Sequence, residues 1–302
     1  MGQRQVNYRH SFHAGNFADV VKHVTLTRIL EYLKRKDKAF RVIDTHAGCG
    51  MYDLAGDAAG RTGEWKDGIG RLDGAKLAPD VAALIAPYLE AVAAAREIGP
   101  TLYPGSPWIT RHLLRKQDRL SAIELHPQEA ERLRELFAGD FQARVTELDG
   151  WLTMGAHVPP KEKRGLVLVD PPFEREGEFD RLIDGAVKAH QRWAGGVLAL
   201  WYPIKNVTEV ERFRQGLAES GIAKVLDLRL TNRRPTAEPR LHGTGMAIIN
   251  PPYGLDDEMR IILPALAKLL QIDDGARSDV VWLARRPPIA DLALDPRRGC
   301  AQ

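Results

Sequence analysis

The sequence predicts an α/β protein: a Rossmann-like sheet with helices on both faces and a small helical insertion. Three observations lead there. Apolar runs of strand length, such as Gly165-Leu166-Val167-Leu168-Val169 and Val197-Leu198-Ala199-Leu200-Trp201-Tyr202-Pro203, alternate with segments of helical period, the signature of buried parallel strands joined by crossover helices. The first such run, Arg41–Asp44, feeds a Gly-x-Gly turn at Gly48-Cys49-Gly50. Acids close four successive strands, at Asp44, Glu124, Asp149 and Asp170. Open α/β sheets bind ligands outside the carboxyl ends of their strands, so an acid series in that register describes a site.

Composition sets the bounds. With 302 residues, 44% of them hydrophobic, the chain can bury a large core, as one domain with an insertion or as two domains. A formal charge of +3 and a pI near 8.8 permit nucleic acid as a partner without requiring it. Cys49 and Cys300 are far apart and form no Cys-x-x-Cys, which argues against a disulfide framework or a cysteine zinc site and favours a reducing cytoplasm. The absence of an apolar signal core, and of any run of 18 or more apolar residues, points to a cytoplasmic protein with no membrane association.

Taken in order, residues 1–16 form an aromatic and basic arm, with Tyr8, His10 and Phe12 preceding any periodic segment. Asn16 is placed to cap a helix that runs to Lys36, with Asp19 three residues on and Val20, Val21, Val24, Ile29, Leu30 and Leu33 at helical spacing. Lys22 and His23 are its polar residues of interest, with a solvated lysine and a packed histidine as the alternative reading. No metal is expected, because His10, His13 and His23 match no zinc spacing. The Asp44–Gly50 turn lacks the third glycine of a pyrophosphate fingerprint, which suits S-adenosylmethionine, a nucleoside with no phosphate to seat. His46 and Cys49 read most simply as a polar turn residue and a small packing residue.

An acid for the ribose hydroxyls is expected at the end of the second strand, about 20 residues on. The candidate, Glu124, ends Leu120–Glu124 much later, so residues 51–100 form an insertion with an alanine-rich helix over Asp80–Glu97. Ser106 followed by Pro107 reads as a helix cap whose N-terminus could also receive the cofactor's carboxylate. A helix from Pro127 to about Phe137 leads to a third strand over Ala143–Gly150 that ends on an acid, Asp149, which could accept from the cofactor's adenine amine.

The fourth strand ends at Asp170 because proline cannot donate to a ladder, so Asp170-Pro171-Pro172-Phe173 projects as a turn. Such a turn suits methyl transfer to the exocyclic amine of adenine. The amine's lone pair is delocalised into the ring, so two acceptors must hold its N–H groups while nitrogen attacks; here they are the Asp170 carboxylate and the Pro171 carbonyl, with Phe173 as a stacking face for an extruded base. On those four residues alone an ordinary strand-ending Asp-Pro turn is the alternative. A helix near Glu209–Ser220, a strand at Lys224–Leu230 and a strand ending in Asn250-Pro251-Pro252-Tyr253 follow. That second motif is equal to the first by residue type, but its strand is expected in a terminal edge hairpin away from the cleft. Ser278–Ala284 reads as a last edge strand. The basic residues 285–302 read as a disordered tail.

Together, Tyr8-Arg9-His10-Ser11-Phe12-His13-Ala14-Gly15-Asn16, Asp44-Thr45-His46-Ala47-Gly48, Tyr103-Pro104-Gly105-Ser106-Pro107, Glu124-Leu125-His126-Pro127, Asp149-Gly150 and Asp170-Pro171-Pro172-Phe173 resemble the RlmJ family, the bacterial 23S rRNA (adenine(2030)-N6)-methyltransferases, from about Asn7 to Ala284. The resemblance implies a methyltransferase core over residues 1–50 and 101–284 and S-adenosylmethionine held by His23, His46, Ser106, Glu124, Asp149, Gly150 and Asp170. It also implies Asp170, Pro171 and Phe173 at the reaction centre and Tyr8 on the RNA. Lys22 and His10 stand beside these positions as further RNA contacts. The implied partner is 23S rRNA, naked or in an early assembly particle, acted on by a monomer. Phe173 replaces the tyrosine often found there, which keeps stacking and removes a hydroxyl. A DNA adenine-N6 methyltransferase and a non-catalytic RNA-binding protein are the alternatives; the first usually carries a separate duplex-recognition domain, and the second has no need of the acid series.

Overall fold

The computed structural model describes residues 12–236 and 240–285. Helix α1 (Phe17–Lys34) opens it, capped as expected by Asn16, whose Oδ1 accepts from the amides of Ala18 and Asp19. Strand β1 (Arg41–Asp44) leads into the insertion, which holds β2 (Met51–Asp53), α2 (Asp57–Thr62), two short 3-10 turns, α3 (Pro79–Ile98) and β3 (Leu102–Pro104). Then come α4 (Ser106–Leu113), β4 (Arg119–Glu124), α5 (Pro127–Leu136), β5 (Ala143–Glu147), α6 (Gly150–Ala156), β6 (Gly165–Val169), α7 (Glu178–Arg192), β7 (Val197–Ile204), α8 (Val207–Glu219), β8 (Lys224–Thr231), β9 (Gly243–Ile249), α9 (Leu255–Leu270) and β10 (Arg277–Arg285).

Eight strands form one sheet in the order β10-β8-β9-β7-β6-β1-β4-β5. The five from β7 to β5 are parallel, and β9, β8 and β10 join by antiparallel pairing. Helices cover both faces, with the first helix, the insertion helix α3 and α9 on one side and α7 and α8 on the other. The strand order reverses between β1 and β6, which puts the carboxyl ends of β1, β4, β5 and β6 around one crevice.

Several expectations are corrected here. The apolar spacing of α1 predicts one buried face, yet the helix is buried nearly all round from Phe17 to Leu30, because α3, α4 and α9 pack on the sides the sheet leaves open. Val20, Val21, Val24, Leu26, Ile29 and Leu30 are fully buried and each stabilises by about 1.5–3 kcal/mol, enough to carry the cost of burying Asp19, Lys22 and Arg28 beside them. The insertion packs into the same core. Ile85, Tyr88, Ala91 and Val92 of α3 share one apolar cluster with α1, and the two ends of the insertion pair as a separate antiparallel two-stranded sheet, β2–β3, unforeseen in the sequence.

The third strand stops at Glu147, and Asp149 instead caps α6 by accepting from the Trp151 amide at 3.0 Å. Asn250 does not end an edge strand. β9 lies between β7 and β8 with every residue buried, and the edge is β10. Because β9 runs antiparallel to β7, with Ile249 opposite Leu198, Asn250 sits at the end of the sheet opposite Asp170. Arg285 pairs with Lys224, so it belongs to β10; residues 286–302 lie outside the described residues.

Candidate active site

A cleft of about 1030 Å³ opens at the strand ends, and Lys22, His23, His46, Gly48, Ser106, Glu124, Asp149, Gly150 and Asp170 all line it. Tyr8 and His10 lie outside the described residues.

The β1 turn forms the floor. Gly48 has φ +61°, and a Cβ there would stand 2.2 Å from the Tyr52 hydroxyl, so only glycine lets the loop pass beneath that ring. A Cβ on Gly150 would meet the Thr45 carbonyl at 1.9 Å, so the start of α6 presses directly on the β1 turn. His46 is half-buried against the Trp151 ring, 5.6 Å between centroids, and burial pushes its pKa down to about 4, which keeps the ring neutral at physiological pH. Cys49 is buried with its thiol pushed up to about 12 by burial, in line with a packing role.

Glu124 closes β4 with both carboxylate oxygens engaged, accepting from the Gly48 amide at 2.8 Å and the His126 amide at 2.7 Å. Burial raises its pKa against these two bonds. Each oxygen retains a lone pair, so a vicinal diol can still donate to it. Across the cleft Asp149 also takes Arg181 at 3.3 Å, and the Arg181 guanidinium lies 4.6 Å above the Trp151 ring.

Ser106 departs from its expected capping role. It is the first residue of α4 and makes no side-chain cap; its hydroxyl donates instead to Asp44 at 2.7 Å. Asp44 is fully buried, and burial lifts its pKa to about 7 although the Ser106 hydroxyl and the Lys22 charge oppose the rise. Asp44 belongs to the acid series, yet nothing in its sequence context says it lies beneath the cleft rather than facing it.

Lys22 is not solvated: it is 3% exposed, with Nζ 2.8 Å from Asp19 and 2.5 Å from Asp170. Burial alone would lower its pKa, but the two carboxylates win and raise it above the ordinary range. The i,i+3 spacing of Asp19 and Lys22 is a legible signal for one of these pairs; the other needs the fold. His23, also buried, shares a hydrogen bond with the Tyr103 hydroxyl at 2.8 Å, and Tyr103 with Tyr88 at 3.1 Å, while His13 bonds Glu64; these histidines do not gather around a metal site. No group of His, Cys, Asp and Glu able to hold a metal ion occurs among the described residues.

Beyond Asp170, Pro171 is buried and Pro172 lines the cleft. Phe173 takes φ +51°, an uncommon conformation for a bulky residue that turns the chain sharply after the two prolines. Its ring packs on Phe179 at 4.9 Å and Trp201 at 5.8 Å, so only the part left half-buried could face a base.

The residues fit S-adenosylmethionine. An acid holding the glycine-turn amide suits a ribose, a second acid on a helix cap suits an amine, and the glycine floor leaves room for a nucleoside that a Cβ would fill.

A family model described as Ribosomal RNA large subunit methyltransferase D, RlmJ, matches residues 37–284. The chain is 39% identical over 279 residues to Ribosomal RNA large subunit methyltransferase J of Escherichia coli (strain K12), spanning 92% of this chain and 99% of that protein. It is 40% identical, with the same coverage, to the protein of that name from Haemophilus influenzae. The crystal structure of protein LPL1258 from Legionella pneumophila superposes with a TM-score of 0.80 at 34% identity, covering 89% of this chain and 98% of that one.

Proposed function

The chain belongs to the RlmJ family of ribosomal RNA large subunit methyltransferases, and from that premise we propose that it transfers a methyl group from S-adenosylmethionine to the exocyclic N6 of an adenosine in 23S rRNA. The observation that carries the adenine reading is the Asp170 turn, set at the mouth of a cleft that also holds Glu124 and Asp149. S-adenosylmethionine supplies the electrophilic methyl group.

The side chains do the rest. Glu124 accepts from the ribose hydroxyls, Asp149 from the cofactor's adenine amine, and the polar mouth of α4 beside Ser106 receives its carboxylate. His23, His46 and Gly150 shape the walls. Lys22 holds Asp170 Oδ2, so Oδ1 and the Pro171 carbonyl are left to take the two N–H groups of an extruded adenosine, with the exposed part of the Phe173 ring beside it. Held this way, the amine presents its nitrogen to the methyl group. Transfer leaves a cationic nitrogen that readily gives up its proton, so no strong base is needed. Tyr8 and His10, outside the described residues, are further contacts to the RNA. The protein works in the cytoplasm, as a monomer, on naked rRNA or an early assembly particle; no helix among the described residues is long and apolar enough to cross a membrane.

Incubating the protein with labelled S-adenosylmethionine and unmodified 23S rRNA, followed by nucleoside mass spectrometry, tests this. N6-methyladenosine at a single site is the expected product. Label in another nucleoside, or in duplex DNA but not rRNA, would overturn the assignment.

A further inference from the structure

A second cleft, about 710 Å³, is lined by Ile204 and Thr231, which stand level through their common partner Gly243. Val169 pairs with Leu200, so Asp170 stands level with Trp201, and Ile204 lies three residues further along the same strand, about 10 Å at roughly 3.3 Å per residue. The second cleft therefore opens at the same end of the sheet as the Asp170 turn.

Its wall carries more cation than it neutralises. Arg229, Arg233 and Arg277 face Glu211 and Asp279, and Arg229 engages both acids, at 3.0 and 3.1 Å. Arg233 and Arg277 make no close ion pair among the described residues, although Asp67, Asp273 and Glu64 act on Arg233 from further away. Arg277 spends its Nε on the Gly275 carbonyl, and the buried Nε of Arg233 has no hydrogen-bond partner. Burial, with Arg240 nearby, lowers the pKa of Arg233 against the opposing pull of Asp67, Asp273 and Glu64, so these acids only partly offset its desolvation. Lys205, which follows Ile204, is exposed, also has no acidic partner among the described residues, and lies close enough to His13 for their charges to interact.

A guanidinium is a planar fork of donors that matches two oxygens of a phosphate. On a surface that receives an RNA nucleotide, the anion at hand is the sugar-phosphate backbone, and such contacts set register without reading sequence. We propose that this cleft binds a backbone phosphodiester of the RNA near the target adenosine, through Arg233 and Arg277, with Lys205 along the path between the two clefts. The proposal rests on the rRNA reading above and adds to it where the strand runs.

The test measures binding of a 23S rRNA fragment across a salt series, with methyl incorporation into the same fragment alongside. The double variant Arg233→Ala, Arg277→Ala should bind RNA roughly tenfold more weakly at low salt and lose about one to two counts of salt slope. Its S-adenosylhomocysteine affinity, melting temperature and kcat at saturating RNA should stay at wild-type values, and Arg233→Lys, Arg277→Lys should keep the slope. If the alanine variant melts early, the glutamine pair, which keeps most of each stem, takes its place. Wild-type affinity and slope in the charge-free variant would overturn the proposal. So would competition by inorganic phosphate at matched ionic strength with RNA affinity untouched by the substitutions, which would assign the cleft to a free anion. If the wild type methylates no rRNA while RNA binding still depends on both arginines, the functional reading fails and the phosphate site stands.

Discussion

Lys22 and Asp170, 148 positions apart, meet at 2.5 Å in a nearly dry pocket, with Asp19 completing the cluster at 2.8 Å from the same ammonium. One cation thus bridges two carboxylates and fixes the orientation of the one at the cleft. Removing it strands both. Lys22→Met should cost about 3–5 kcal/mol of stability, because two buried acids are left facing each other. Adding Asp19→Asn should recover part of that stability in denaturant melts without recovering turnover. Full recovery of methyl transfer in the double variant would show that Lys22 serves the fold alone.

Asp170→Ala leaves Lys22 paired with Asp19, so the fold should survive with a loss of about 1–3 kcal/mol. Methyl transfer should collapse while S-adenosylhomocysteine still binds by calorimetry. Equal losses of binding and turnover would move Asp170 from the target amine to the cofactor.

Glu124→Ala should weaken S-adenosylmethionine and S-adenosylhomocysteine alike, by about 1–3 kcal/mol, since each loses its charge-assisted ribose acceptor. The Gly48 and His126 amides lose their acceptor as well, so the turn should exchange its amide hydrogens faster. RNA affinity should barely change; unaltered calorimetry with both nucleosides would place the ribose acid elsewhere.

Asn250 donates to the carbonyls of Ala194 and Gly196 and holds φ +51°, so its motif ties α7 and β7 together at the base of the sheet. Asn250→Ala should lower stability by about 2 kcal/mol, from lost hydrogen bonds and a strained left-handed alanine. Turnover per folded molecule should remain near wild type. Loss of catalysis with unchanged melting would reverse this reading.

Asp44 offers a pH test. Its folded pKa of about 7 lies above the ordinary 3.8, so the folded state binds the extra proton between those values. The contribution of Asp44 to stability is therefore most favourable below about pH 4 and declines as pH rises toward 7. Asp44→Asn removes the ionisation but keeps an acceptor for Ser106. Its melting temperature, relative to wild type, should climb between pH 4 and 7, and a flat difference would show that Asp44 is not the titrating group.

Much of this molecule is determined locally. The apolar runs ending at Asp44, Glu124 and Asp170, and the Asn16 cap, depend on backbone rules that act within a few residues, so the strands, their order of use and the acid series could be read along the chain. Asp19 and Lys22 are one helical turn apart, and even their pairing is local. What tertiary structure decided is where those residues face and how much water they keep. Burial of α1 on all sides made Lys22, for which the sequence left both an RNA contact and a solvated lysine open, the buried partner of Asp170, because α3 and α9 come from distant parts of the chain. Ser106 looked like a cap until the reach of Asp44 beneath α4 gave its hydroxyl a better acceptor. Two Pro-Pro motifs of equal local quality are separated in the fold by strand direction, not by the edge position expected from sequence: β6 is parallel and points Asp170 into the crevice, while antiparallel β9 carries Asn250 to the far end. Sequence periodicity encodes which residues form a strand, but not which way that strand runs beside its neighbours, because direction is set by pairings between residues far apart in the chain.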